Sequence, residues 1–169
     1  GFRQAEQVFS DCRMEISFLP NDGAGPSISH LKASGVRLIY VNPSHASGTI
    51  SAIPMSRRYE LLEWARETGG LIIEDDYNGE LRYNARPIPA LQGMGDNQPV
   101  VYLGSFSKLL LPSVRISYMA LPQNLACIYR ERSSNYNQTA SKTEQLALAS
   151  YIGSGQMERH LRRLRKLYG

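Results

Sequence analysis

The stretch VVYLGSFSKLLLPSVRISYMAL, residues 100–121, decides how the rest of the chain is read. Val100 to Leu103 form a short apolar run suited to a buried strand, and it ends at once in Gly104-Ser105-Phe106-Ser107-Lys108. Arg115 to Leu121 form a second strand-like run. A lysine that follows a buried strand loses hydration in its charged form, and burial of that kind favours the neutral amine. A neutral amine condenses with aldehydes. Ser105, Ser107 and Arg115 lie close by in sequence and suit an anion such as a phosphate. Taken alone, this spacing is better explained by an exposed lysine in a serine-rich turn.

A second cluster changes that weighting. Leu71 to Ile73 begin another apolar strand, which runs straight into Glu74-Asp75-Asp76-Tyr77. A carboxylate next to a buried strand is costly unless it is paired. Asp75 therefore calls for a cationic partner, and the Tyr77 hydroxyl two residues on can donate to a neighbouring oxygen. The alternatives are an acidic turn or a weak Mg²⁺ or Ca²⁺ site, but such ions need more oxygen ligands than the spacing offers. No metal site is expected.

Working outward, strand-like and helix-like segments alternate. Gln4 to Phe9 reads as the end of a helix, Arg13 to Leu19 as a strand, Pro20 to Ser27 as a loop and Ile28 to Ala33 as a short helix. Val36 to Val41 is apolar enough for a strand buried on both faces. Ser56 suits the N-cap of a helix, with Glu60 near the positive end of its dipole. Leu61, Leu62 and Ala65 form its inward stripe, and Gly69-Gly70 its end. Helices are expected over about 124–133, 142–153 and 156–168. This alternation predicts an α/β three-layer sandwich with a mainly parallel sheet, whose ligands lie at the carboxyl ends of the strands. Both polar clusters occupy such ends.

Bulk composition excludes several classes. The chain has 169 residues, 42% hydrophobic and 20% charged, as in ordinary globular proteins. No apolar run is long enough to span a bilayer, and the N-terminus lacks a signal-peptide layout. The first residue is Gly1, so a processed or excised piece is expected. Cys12 and Cys127 are far apart, which argues for reduced thiols in the cytoplasm. The net charge of +4 is concentrated in Arg159, Arg162, Arg163, Arg165 and Lys166. An anionic partner is one reading. A solvated helix face is the better one, because Met157, Leu161 and Leu164 form an apolar stripe opposite.

The combined motifs are specific. The segments Glu74 to Tyr77, Pro87 to Gly93, Gly104 to Ser113 and Arg115 to Tyr118 resemble the MocR/GabR group of the GntR superfamily of bacterial regulators. So do Asn42 to His45, Ser56 to Arg58, Glu144 to Ala149 and Glu158 to Arg163, and the resemblance covers nearly the whole chain. Members join a winged helix-turn-helix to a domain similar to fold-type I aminotransferases. The resemblance implies pyridoxal 5′-phosphate (PLP) held as a Schiff base on Lys108. Asp75 would face the pyridine nitrogen and Tyr77 the ring hydroxyl, with Ser105, Arg115 and, more weakly, Ser107 as phosphate ligands. After Pro43-Ser44-His45 the group usually reads Gln, an aromatic, Pro, a small residue and Gly, whereas this chain reads Ala46-Ser47-Gly48-Thr49-Ile50.

The same resemblance implies a division of the chain. Residues 1–122 would form part of the PLP-binding large domain, and residues 123–169 a helical segment leading toward a small C-terminal domain. Two functions share these residues. One is an effector sensor that binds a small amino compound within a homodimeric regulator, with DNA contacted through a separate winged-helix domain and no membrane role. The other is a genuine PLP-dependent aminotransferase. A remnant that binds no cofactor is the third reading.

Overall fold

The computed structural model describes residues 2–44, 52–76, 89–96 and 98–168. Four strands, β1 (Leu38–Val41), β2 (Leu71–Asp75), β3 (Val100–Ser105) and β4 (Ser117–Ala120), form one sheet in that order. β1, β2 and β3 run parallel, and β4 joins β3 antiparallel. Parallel neighbours need a crossover, and α3 (Met55–Thr68) lies between β1 and β2 in the chain. α1 (Arg3–Asp11) and α2 (Ile28–Ser34) precede the sheet, while α4 (Gln123–Arg132), α5 (Lys142–Gly153) and α6 (Gln156–Tyr168) follow it. The chain is thus an α/β fold with a mainly parallel sheet.

Alternation along the strands sorts the side chains onto two faces. Ile39, Val41, Ile72 and Val100 pack with Leu31 of α2 and with Leu61, Leu62, Trp64 and Ala65 of α3 to form the core. On the opposite face Leu38, Tyr40, Leu71 and Ile73 are only half-buried. β1 is therefore buried on one face rather than two, because among the described residues α2 and α3 cover that face alone. The segment predicted as a strand over 13–19 joins no sheet among the described residues and stays largely exposed. Apolar alternation makes a strand only where a neighbour supplies the ladder. α3 also begins differently from expectation. Pro54, not Ser56, is its N-cap, with no side-chain cap bond. The proline's fixed φ of −67° suits a helix entrance. Glu60 pairs instead with Arg57, its Oε2 2.7 Å from Nε. Gly69 ends the helix at a φ of 64°, a left-handed conformation that favours glycine.

Arg58 and Glu74 bring charged groups into this core. Each is 1% exposed. Arg58 Nε donates to the carbonyl of Ile53 at 3.0 Å, Nη1 to Pro89 at 2.9 Å and Nη2 to Pro43 at 3.0 Å. Nη1 also lies 3.8 Å from Glu74 Oε1. Glu74 in turn accepts the N–H groups of Leu91 at 2.9 Å and Gln92 at 3.1 Å. These open the 3-10 turn Leu91–Gly93, so the carboxylate caps its N-terminus. Burial pushes the Glu74 carboxyl above its ordinary value of 4.5, and the two N–H groups and Arg58 act against that push.

Breaking this pair from one side leaves a buried charge and orphaned carbonyls. Arg58→Ala is expected to lower the unfolding free energy by about 3–5 kcal/mol, read from the urea midpoint, and an unchanged midpoint would refute the role. Glu74 also has a pH signature. Its folded value is raised, so its stabilising contribution is fully present below 4.5 and is lost as the pH climbs through the folded value. Glu74→Gln cannot titrate there. Urea unfolding from about pH 4 to about pH 8 should show wild type losing stability relative to Glu74→Gln as the pH rises; a gap that is constant across this range would contradict it.

Candidate functional site

The site is built on the carboxyl ends of two adjoining strands. Asp75, the last residue of β2, pairs in register with Leu103 of β3. The Asp76 N–H donates to the Leu103 carbonyl at 2.9 Å, which carries the pairing one step further. Three consecutive acids are then divided by strand parity. Glu74 and Asp76 fall on the face of the core, and both are buried. Asp75 falls on the opposite face and is half-buried. The Tyr102 hydroxyl donates to Asp76 Oδ2 at 3.3 Å.

Asp75 has a partner that sequence reasoning did not find. The Tyr40 hydroxyl donates to Asp75 Oδ2. Tyr40 pairs with Ile73, two residues before Asp75, so both side chains lie on one face. A long side chain leaning along its strand can span that diagonal. Phe9 of α1 meets the Tyr40 ring edge-on, with centroids 6.1 Å apart and planes at 74°. The strand parity of VRLIYV carries the only sequence signal for this contact, because it sets Tyr40 opposite Ile39 and Val41.

Ser105 ends β3, two residues beyond Leu103 and on the same face as Asp75. Its Oγ accepts the Ser107 N–H at 3.3 Å. The Phe106 carbonyl accepts the N–H groups of Leu109 at 3.1 Å and Leu110 at 2.9 Å, which closes a tight turn. Leu109, 2% exposed, anchors this turn from within, and Lys108 beside it is exposed. The desolvation expected for a lysine after a buried strand is therefore not provided by the described residues. His160 of α6 braces the turn from outside, its Nε2 2.9 Å from the Leu109 carbonyl.

Arg115 enters from the other side of the turn. The Phe106 N–H donates to the carbonyl of Ile116, its sequence neighbour, at 3.0 Å. Arg115 is exposed and holds a φ of 49°. That left-handed conformation costs a non-glycine residue about 1–2 kcal/mol, so the surrounding turn imposes it. Gly104 allows Tyr118 to close over β3, since an added Cβ would lie 2.3 Å from Tyr118 Cζ. Tyr118 in turn packs on Phe106, with centroids 5.2 Å apart.

Asp75, Ser105, Ser107, Lys108 and Arg115 are thus gathered at the ends of β2 and β3 and the start of β4. Tyr77 lies outside the described residues, as do His45 and the altered segment 46–50. One carboxylate, two hydroxyls, an amine and a guanidinium suit a ligand with a cationic ring atom, a carbonyl carbon and an anionic tail. No group of His, Cys, Asp and Glu that could hold a metal occurs among the described residues.

The basic C-terminal residues are arranged as a solvated helix face. Met157 is buried and Leu161 and Leu164 are half-buried, while Arg162 pairs with Glu158 at 2.6 Å. A cavity of about 300 Å³ between α5 and α6, lined by Tyr151, Gln156, Arg159, His160 and Arg163, includes none of the predicted site residues. No helix among the described residues is long and apolar enough to cross a membrane.

No protein-family model matches the chain. Among curated proteins, the HTH-type transcriptional regulator YdeL of Bacillus subtilis is 45% identical over 99% of this chain and 36% of its own length. The probable rhizopine catabolism regulatory protein MocR of Rhizobium meliloti is 37% identical over 99% of this chain and 34% of its own length. The pyridoxine biosynthesis transcriptional regulator PdxR of Corynebacterium glutamicum is 33% identical, again over 99% and 36%. The chain therefore spans about a third of the length of these relatives. Among solved structures, the multiple substrate aminotransferase of Thermococcus profundus superposes with a TM-score of 0.81 at 28% identity, over 97% of this chain and 43% of that one. The α-aminoadipate aminotransferase LysN of Thermus thermophilus, complexed with N-(5′-phosphopyridoxyl)-L-leucine, gives 0.82 at 26% identity, over 99% and 45%. In sequence the chain is similar to a segment of transcriptional regulators of the MocR type, and in fold to aminotransferases.

Proposed function

We propose that this segment forms part of a PLP-binding effector-sensing domain, with the cofactor held covalently through Lys108 Nζ. The observation that carries the reading is the gathering of Asp75, Ser105, Lys108 and Arg115 at adjoining strand ends, in a fold shared with aminotransferases. When bound, PLP supplies an electron-withdrawing ring and an aldehyde carbon open to amines. Asp75 would accept the ring N–H and Tyr77 would donate to the ring oxygen. Ser105 and Arg115 would bind the phosphate, with Ser107 beside them, the planar fork of Arg115 suiting an anion that a lysine would hold less specifically. Lys108 Nζ would hold the cofactor, and the site would take the amine of a small amino compound as its effector.

The rest of the reading follows the relatives. Residues 1–122 belong to the PLP-binding large domain, and 123–169 lead toward a smaller C-terminal domain. The parent works in the cytoplasm as a homodimer and contacts DNA through a winged-helix domain outside this segment. A true aminotransferase is the second reading. It is favoured by the solved neighbours and by a 25% identity to aromatic-amino-acid aminotransferase 1 of Thermococcus litoralis. Lys108 Nζ would then also move a proton between the substrate α-carbon and the cofactor C4′.

Adding PLP to the protein should produce an absorbance band at the edge of the visible, and Lys108→Ala should abolish it. Wild type without the band overturns the proposal. Asp75→Ala should keep the band but weaken PLP binding by about tenfold or more, the loss expected when a charged hydrogen bond is removed. Turnover of an amino donor with a keto acid at enzymatic rates would favour the aminotransferase over the sensor.

A further inference from the structure

We propose that Tyr40 is a positioning residue for Asp75, fixing which carboxylate oxygen is presented to the ring nitrogen of the cofactor. The inference rests on the PLP reading above and goes beyond it. The Tyr40 hydroxyl donates to Asp75 Oδ2. With Oδ2 engaged there, Oδ1 is the oxygen left to meet a further donor. A carboxylate on a single free rotor samples many orientations, and its contact with a ring N–H depends on one of them. Locking that rotor removes this search before the ligand arrives.

Three features make the contact a built one. Tyr40 and Asp75 lie on the same sheet face through the Tyr40–Ile73 pairing. The Tyr40 ring is itself held edge-on by Phe9. β1 and β2 pair in register over all four residues of β1, so the two backbones cannot slide apart. The contact is also separate from the buried acids, because Glu74 and Asp76 fall on the opposite face. Among the described residues, Tyr40 meets the proposed cofactor ligand Asp75 and acts through it.

The test compares Tyr40→Phe with wild type, using PLP and the PLP analogue whose ring nitrogen is replaced by carbon. Binding is read from the absorbance band. Wild type should prefer PLP over the analogue, and Tyr40→Phe should shrink that preference about three- to tenfold, within the span of one hydrogen bond. Affinity for the analogue should stay nearly unchanged, because it offers nothing for Asp75 to accept. An equal loss for both ligands would mark Tyr40 as a packing residue and overturn the proposal. So would an unchanged preference. Wild type that binds neither ligand sinks the PLP reading itself, and this proposal with it. A urea midpoint for Tyr40→Phe close to wild type confirms that both proteins are folded in the comparison.

Discussion

A guanidinium and a carboxylate buried in the same apolar layer constrain everything built around them. Neither Arg58 nor Glu74 could stay ionised there without partners, and each draws those partners from the backbone of distant segments. Arg58 collects carbonyls at Ile53, Pro43 and Pro89. Glu74 collects the N–H groups that open the turn at Leu91. Three pieces of chain, at Pro43, at Ile53 and over Pro89 to Gln92, are thereby set relative to β2. Apolar packing around Trp64 supplies bulk stability without direction, whereas these bonds supply direction. The carboxyl end of β2 is placed by them, and Asp75 is the next residue along.

Much of this was legible because periodicity reports burial. The inward stripe of α3, the bounds of α5 and α6 and the positions of β2 and β3 all follow from apolar spacing and from glycines at the ends. What periodicity cannot report is the partner. The segment over 13–19 has a strand-like pattern but no neighbour in the sheet, and it stays irregular. Ser56 has the right chemistry for a cap, yet the helix starts at Pro54 because backbone geometry set the entrance first. Glu74 looked like one member of an acidic turn. Its role depends on Arg58, 16 positions earlier, and on N–H groups 17 and 18 positions later, which no local window contains.

The candidate site shows the same division. Lys108, Ser105, Ser107 and Arg115 were found as a motif, and the structure sets them at strand ends, with Lys108 exposed rather than desolvated. Tyr40 was missed because a tyrosine inside an apolar strand reads as core. Only the register of β1 against β2 reveals that it faces Asp75. Parity is the physical reason three adjacent acids do three different things. Glu74 braces the core, Asp76 meets Tyr102 on the same side, and Asp75 alone is turned toward the open face.

The bond between His160 and the Leu109 carbonyl has a mechanical consequence. It pins α6, at the fifth residue of the helix, to the turn that carries Lys108. From that pin the helix extends about 12 Å to its last residue, at about 1.5 Å per residue. A tilt of about 10° at the pin would swing the far end by about 2 Å on that arm, an amplification with no flexible link in between. Motion of the helix therefore has two outcomes, dragging the turn with it or breaking one hydrogen bond. The energy of that bond sets how stiffly the two are geared together.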